Sequence, residues 1–362
     1  NGATGLRHTE QQYFVAFAQD EWHATSSLTL NYGLRYDYYT PMKERDDLIV
    51  KFNTVTGQID PNTTPLLISK KNSFQPRVSM TYAPGRTIFR AGFGVFVGPG
   101  QGEDQIQPIE SDRVSTTLST GPLLAYPINQ DALVANFTGN PNNRSYAPRA
   151  YAPEYQIPEK DYQYTASVQQ ELGGRFTATA AFVGAEGRDL FLRTITNRIT
   201  SVVTNPNPAN AAFVIREFSI VQRDASGNIT GVQNPFAEVD VKTTGGYSNY
   251  KSMMLSLNRR SANGLSANLQ YTLGNSRGTT GGSNEANTAA NNADAKDIPQ
   301  FDYDDGYNNF DVRHTFNFSL LYSIPYGKGR KYGADASGLT QAVLGGWDIG
   351  AIWNVSRSGD EL

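Results

Sequence analysis

Ser27-Leu28-Thr29-Leu30-Asn31-Tyr32-Gly33-Leu34-Arg35-Tyr36-Asp37-Tyr38 alternates almost perfectly between apolar and polar residues. A period of two puts successive side chains on opposite faces of an extended strand. One face carries Leu28, Leu30, Tyr32, Leu34, Tyr36 and Tyr38. The other carries Thr29, Asn31, Gly33, Arg35 and Asp37. Such a strand needs an apolar medium on one side and a polar one on the other.

The same pattern recurs, most clearly over Phe74 to Tyr82, Thr87 to Val97, Tyr162 to Leu172, Leu265 to Leu273 and Trp347 to Val355, and predicts about ten strands. Phe89, Ala91, Phe93, Val95 and Val97 share a face against Arg90, Gly92 and Gly94. Phe316, Phe318, Leu320 and Tyr322 oppose Thr315, Asn317 and Ser319. The polar rows hold Arg35, Asp37, Arg77, Arg90, Glu171, Arg260, Arg313 and Asp348, and the apolar rows are expected to carry no charge between their ends. Lipid contact enforces that segregation, because an Arg or Lys facing lipid at the midplane costs roughly 2–4 kcal/mol. A soluble sheet tolerates more exceptions.

Composition removes other classes. The 362 residues include 31 Lys and Arg against 34 Asp and Glu, for a net charge of −3. With no basic run, the footprint required for nucleic acid is missing. No stretch approaches the roughly eighteen apolar residues of a membrane helix, whereas a membrane strand needs only about ten of alternating character. The absence of cysteine removes disulfides, thiolate metal sites and thiol nucleophiles. No signal-peptide pattern stands at Asn1 to Glu10, so the chain reads as an internal piece, and the terminal Asp360-Glu361-Leu362 reads as a cut end.

The connections alternate in length. His23 to Ser26, Ala83 to Arg86, Gly173 to Gly174 and Ser261 to Gly264 are short. Thr40 to Ser73, Gly98 to Glu159, Thr194 to Gly246 and Asn275 to Asn309 are long and rich in Asn, Pro, Gly and Thr. Tight turns at one rim and long loops at the other are the layout of an outer-membrane barrel, with the loops outside the cell. Tyr36, Tyr38, Tyr82, Trp22 and Trp353 are expected near strand ends, at headgroup level. The fold class is therefore all-β, an antiparallel up-and-down transmembrane β-barrel, of which residues 1–362 form one part.

Five blocks carry a family resemblance. Phe17-Ala18-Gln19-Asp20-Glu21-Trp22 with Leu28 to Asp37 forms the first and most specific. Gln75-Pro76-Arg77 with Phe89 to Gly94 forms the second, and Val168-Gln169-Gln170-Glu171-Leu172 the third. Tyr250 to Arg260 with Gly264-Leu265 and Tyr271-Thr272 is the fourth. Asp311 to His314, Ile324 to Arg330 and Gly345-Gly346-Trp347 complete the set. In this order they resemble the barrel of TonB-dependent receptors, within them the Oar-like group. The resemblance implies a Gram-negative outer-membrane protein that binds an extracellular solute and imports it with energy supplied through TonB. It also implies a plug domain, which this sequence does not contain, and a complete barrel of about 22 strands. Its partners would be outer-membrane lipid, its own plug, TonB through that plug, and a solute of unknown identity. A passive or adhesive surface barrel is the alternative. A third reading, a soluble carbohydrate-binding sandwich, predicts folding without detergent or lipid. Isolated, the chain is expected to aggregate, since edge strands and an apolar face would be uncovered.

Chemistry is sparse, and no enzyme, cofactor or metal site is expected. His8, His23 and His314 lack carboxylate or histidine neighbours at metal-ligand spacing in sequence. Phe301-Asp302-Tyr303-Asp304-Asp305-Gly306 loosely echoes a calcium loop but has no glutamate at its twelfth position. Asp20 and Arg35 are expected on the polar side of neighbouring strands as a lumenal pair, with Arg77 and Arg90 on the next hairpin and Glu171, Arg260 and Arg313 along the same lining. In the whole receptor these would contact the plug or line a solvated path; plain wall polarity is the other reading. Tyr126, Tyr146, Tyr151 and Tyr155 lie among prolines in the longest loop. They are extracellular ligand-contact candidates, or else they pack on the prolines.

Overall fold

The protein, described here from a computed structural model, is defined over residues 8–46, 51–60, 68–99, 114–115, 145–146, 149–236, 238–279, 305–308 and 310–358. Ten long strands follow one another: β1 (Tyr13–Thr25), β2 (Leu28–Tyr39), β3 (Phe74–Tyr82), β4 (Thr87–Gly98), β5 (Glu159–Leu172), β6 (Phe176–Thr196), β7 (Val239–Ala262), β8 (Leu265–Gly278), β9 (His314–Ser323) and β10 (Asp348–Arg357). Each pairs antiparallel with its predecessor, and among the described residues β1 and β10 do not meet. The sheet is an open up-and-down meander. Its interior strands satisfy their backbone groups through neighbours, which a spanning structure requires because hydrocarbon offers no hydrogen bonds.

Register extends the alternation of β2 across the sheet. Tyr32 stands opposite Val78, Val78 opposite Phe93, Phe93 opposite Tyr164 and Tyr164 opposite Gly184. The next row joins Gly33, Arg77, Gly94, Gln163 and Ala185. Among the described residues nothing covers the apolar side: Leu34, Val78 and Phe93 stay 48%, 51% and 41% exposed. Leu30, Phe93, Leu269 and Phe318 belong to neither cluster of buried hydrophobics.

One turn and one close approach depend on glycine or its left-handed conformation. Asn263 (φ +52) and Gly264 (φ +77) join β7 to β8, the two-residue Asn-Gly connection whose positive φ values match strand twist. Gly184 lies under the Tyr164 ring, and a Cβ there would collide with it.

The sequence reading needs four corrections. The first turn is Ser26-Ser27 rather than His23 to Ser26, because β1 runs on to Thr25. Trp353 sits in mid-strand opposite Phe318, not at a strand end. The turn rim holds one long link, residues 324–347, with the short helix α1 (Gly338–Leu344) and an indole N–H donated from Trp347 to the Val343 carbonyl at 2.6 Å. The long segments are not structureless, since β6 and β7 continue through 21 and 24 residues, well beyond the 9–11 that a tilted spanning strand uses. Between them lie the hairpins Ile199–Val203 with Phe213–Arg216 and Ile220–Arg223 with Ile229–Gln233.

Candidate functional site

On the polar side of β1 to β6 a hollow of about 1100 Å3 opens, lined among others by Gln19, Asn31, Arg35, Arg77, Gln163 and Thr165. Gly33, Gly92 and Gly94 belong to the same lining, so backbone rather than side chains forms part of its floor. Arg77 lies with its guanidinium 4.4 Å from the centroid of the Phe96 ring, a stacking that holds the cation in place.

Arg35 does not pair with Asp20. Its Nε donates to Asp37 Oδ1 at 2.8 Å, and its Nη2 donates to the Tyr13 hydroxyl, which in turn donates to Asp37 Oδ2 at 3.0 Å. Asp37 is almost fully buried, and the Tyr13 ring stacks on Tyr39 at 4.6 Å. Register places Asp20 opposite Tyr32, in the outward row, where the Tyr32 hydroxyl donates to Asp20 Oδ2 at 2.9 Å. The expected lumenal pair of Asp20 and Arg35 is thus overturned. In β1 both faces carry aromatics and a carboxylate, so its own alternation could not fix the orientation. Lys251 and Arg259 also fall in the outward rows, opposite Gly184 and Phe176, near the ends of the apolar band rather than at its centre.

The remaining lining candidates stand apart. Arg90 donates to Gln169 Oε1 at 3.0 Å, and Arg313 lies 5.1 Å from the Tyr307 ring centroid. Glu171 and Arg260 are exposed at the turn ends of β5 and β7.

Beyond the loop rim the chain builds a packed headpiece. Tyr39, Met42, Tyr151, Tyr155, Ile157 and Phe191 form one buried cluster. Phe52, Ala150, Ala152, Val239 and Val241 form a second, with Phe218 and Phe236 against it. Arg149–Tyr151 adds to β7 as a parallel strand, and Gln156–Ile157 pairs in parallel with Ile68–Ser69. Lys242 is fully buried with its Nζ 2.9 Å from Asp240 Oδ2, and Lys70 pairs with Asp189. Tyr151 and Tyr155, expected as solute contacts, are 5% and 1% exposed and stack at 4.9 Å. Packing, not presentation to a ligand, is their role here, and burial raises the Tyr151 phenol well above its ordinary value. Tyr126 lies outside the described residues, and Tyr146 is placed only by backbone pairing with Val114.

Two histidines meet carboxylates that sequence spacing did not reveal. His23 Nε2 is 3.1 Å from Glu21 Oε1. His8 Nδ1 is 3.1 Å from Asp46 Oδ2 and 2.9 Å from Arg45 Nη2. The Glu44 carboxylate near it accepts the backbone N–H groups of His8 and Asp46, each at 2.9 Å. Arg45, and after it His8, hold the Asp46 carboxyl below the usual carboxylate range, so the set is an ion-pair cluster with Arg45 as its cation. His314 Nδ1 lies 2.7 Å from the Tyr271 hydroxyl. Asp302 and Asp304 fall outside the described residues, and Asp305 pairs with Arg277 at 2.9 Å.

Among solved structures, the chain is similar to the alcaligin outer-membrane receptor FauA of Bordetella pertussis, at 12% identity and a TM-score of 0.37 over 88% of this chain and 35% of that one. It is also similar to the FrpB iron transporter of Neisseria meningitidis, at 14% identity and a TM-score of 0.42, covering 87% and 32%. The copper transporter OprC aligns at 12% identity and a TM-score of 0.42, covering 87% and 33%. The chain therefore spans about a third of the length of these structures. No curated protein matches it in sequence. The model of one family, the outer membrane beta barrel domain, matches residues 2–360, and to that family of the Gram-negative outer membrane the chain belongs.

Proposed function

We propose that this chain is part of the wall of an Oar-like TonB-dependent receptor, which binds an extracellular solute and imports it with energy delivered through TonB. The supporting observation is the pairing of an uncovered apolar face with a polar face that opens a hollow of about 1100 Å3. One side suits hydrocarbon and the other suits a hydrated interior or a plug domain. Arg35, Arg77, Arg90, Glu171, Arg260 and Arg313 belong to that interior in this reading, and the long-loop rim faces outside the cell. No step of bond chemistry is assigned to any residue.

Uptake by cells carrying the complete gene, across a panel of scarce metal complexes, sugars and peptides, tests the reading with and without functional TonB. Uptake that disappears with TonB supports it. Surface attachment without any TonB-dependent uptake would instead establish the passive or adhesive barrel.

A further inference from the structure

At the loop end of β8 the facing chain carries a surplus of residues. Arg277 pairs with Tyr307 and Leu273 with His314, so β8 crosses the interval with residues 274–276 while its partner uses 308–313. Six positions against three exceed the single extra residue of a simple β-bulge. The Asp311 N–H donates to the Asn308 carbonyl at 2.8 Å, the Asn308 N–H to the Ser276 carbonyl at 3.0 Å and the Gly274 N–H to the Arg313 carbonyl at 2.9 Å. These bonds fold the surplus back onto β8. Ser276 stands in the polar row of the sheet, opposite Tyr250, which in turn stands opposite Ala185. Asn308 Nδ2 donates to Ser276 Oγ at 2.7 Å and to Ser248 Oγ at 3.2 Å, and the Ser276 N–H donates to Asp311 Oδ1 at 2.5 Å.

Two oxygens are left over. Asn308 and Asp311 are 3% and 6% exposed, yet Asn308 Oδ1 and Asp311 Oδ2 have no hydrogen-bond partner among the described residues. Both are acceptors, and one belongs to a carboxylate. Its charge is not balanced by the arginines on either side: Arg277 pairs with Asp305 at 2.9 Å, and the Arg313 guanidinium lies 5.1 Å from the Tyr307 ring centroid. Asp311 has no ion pair among the described residues. A buried carboxylate without a counter-charge is costly. A water molecule would donate to both oxygens but leave the charge in place, whereas a cation answers both demands. Carboxylate, amide and hydroxyl oxygens in an irregular arrangement suit calcium; magnesium demands a regular octahedron and sheds its waters reluctantly.

We propose that Asn308 Oδ1 and Asp311 Oδ2 bind a calcium ion beside the Ser248 and Ser276 hydroxyls, with water completing the shell, and that the ion pins the chain before β9 to the loop end of β8. A single carboxylate places the affinity in the weak regime, with a Kd of about 10⁻⁴–10⁻³ M. Sequence spacing does not mark the site, because its ligands are one amide and one carboxylate three positions apart, and burial against Ser276 is what assembles them.

The test uses the full-length protein, stripped of divalent ions and held in neutral detergent, with radioactive calcium in equilibrium dialysis. Asp311→Asn keeps an acceptor for the Ser276 N–H and removes the charge, and it is expected to bind one calcium fewer than the wild type. Asp305→Asn, at the ion pair with Arg277, should bind as many as the wild type. Magnesium at the same concentration should not displace the ion that Asp311→Asn loses. A second reading needs no variant. In the wild type, calcium at about ten times its Kd should slow hydrogen exchange at the Ser276 and Asn308 amides about tenfold, while β3 and β4 exchange as before. Equal calcium counts in the wild type and Asp311→Asn, or displacement by magnesium, would overturn the proposal. Amides that exchange at the same rate with and without calcium would overturn it too, by showing that an ordered water alone satisfies the two oxygens.

Discussion

The wall and the headpiece are made from one chain but solve opposite problems. In β1 to β10 large apolar side chains remain exposed and no second layer among the described residues covers them, so the protein interior contributes little and the surrounding hydrocarbon takes its place. In the headpiece residues of the same types pack into buried clusters: Phe52, Tyr155 and Ile157 are each 1% exposed. Backbone pairing is the common element, while the clusters of buried hydrophobics belong to the headpiece and to the strand ends that enter it. Hydrophobic residues therefore report different things in the two regions, a solvent in one and a partner in the other.

Removing a ring from the headpiece should have the largest effect. Tyr155→Ala is expected to cost about 3–5 kcal/mol of local stability, read as accelerated hydrogen exchange over 149–157 and 239–243 with the wall exchange unchanged. Exchange that rises equally in both regions would erase the distinction between them. In the wall, Leu255 lies midway between the outward Lys251 and Arg259. Leu255→Arg should destabilise the folded, lipid-inserted protein by roughly 2–4 kcal/mol, measured by denaturant unfolding in bilayers. A neutral result would mean that this face does not meet hydrocarbon.

Smaller effects sharpen the picture. Gly264→Ala places a Cβ at positive φ and against the Ser323 carbonyl. It should cost about 1–2 kcal/mol in the same unfolding assay. At the loop rim, Asp46 is exposed and its carboxyl is lowered by Arg45 and then His8. A lowered folded value means that its contribution is complete above the ordinary carboxylate range near 4. It is lost as pH falls through the lowered value. A carbon-labelled Asp46 carboxyl titrating at or above the ordinary value would remove this cluster from the account.

Much of the wall was legible because period two survives in single strands: the alternation in Leu28 to Tyr38 and Phe89 to Val97 names both faces without any knowledge of partners. β1 was the exception, since Phe17, Gln19 and Glu21 share one face while Ala18, Asp20 and Trp22 share the other. Only its register against β2 decides that Asp20 points outward. The headpiece was hidden for a different reason. Tyr39 packs with Tyr151 and Phe191, across separations that no local pattern encodes, and Asn-rich and Pro-rich composition argues for open loops. The family match supports the barrel that the resemblance implied; the resemblance offered nothing on which loop residues would be buried.

The parallel seating of Arg149–Tyr151 on β7 has a temporal consequence. Its docking edge does not exist until residues 91 positions later have been threaded and paired, and closing so long a separation brings no reward beforehand. The rim structure must therefore mature last, after the ribbons beneath it are in place. Pulse proteolysis during refolding into vesicles should find 149–157 cleavable at a time when β6 and β7 are already protected.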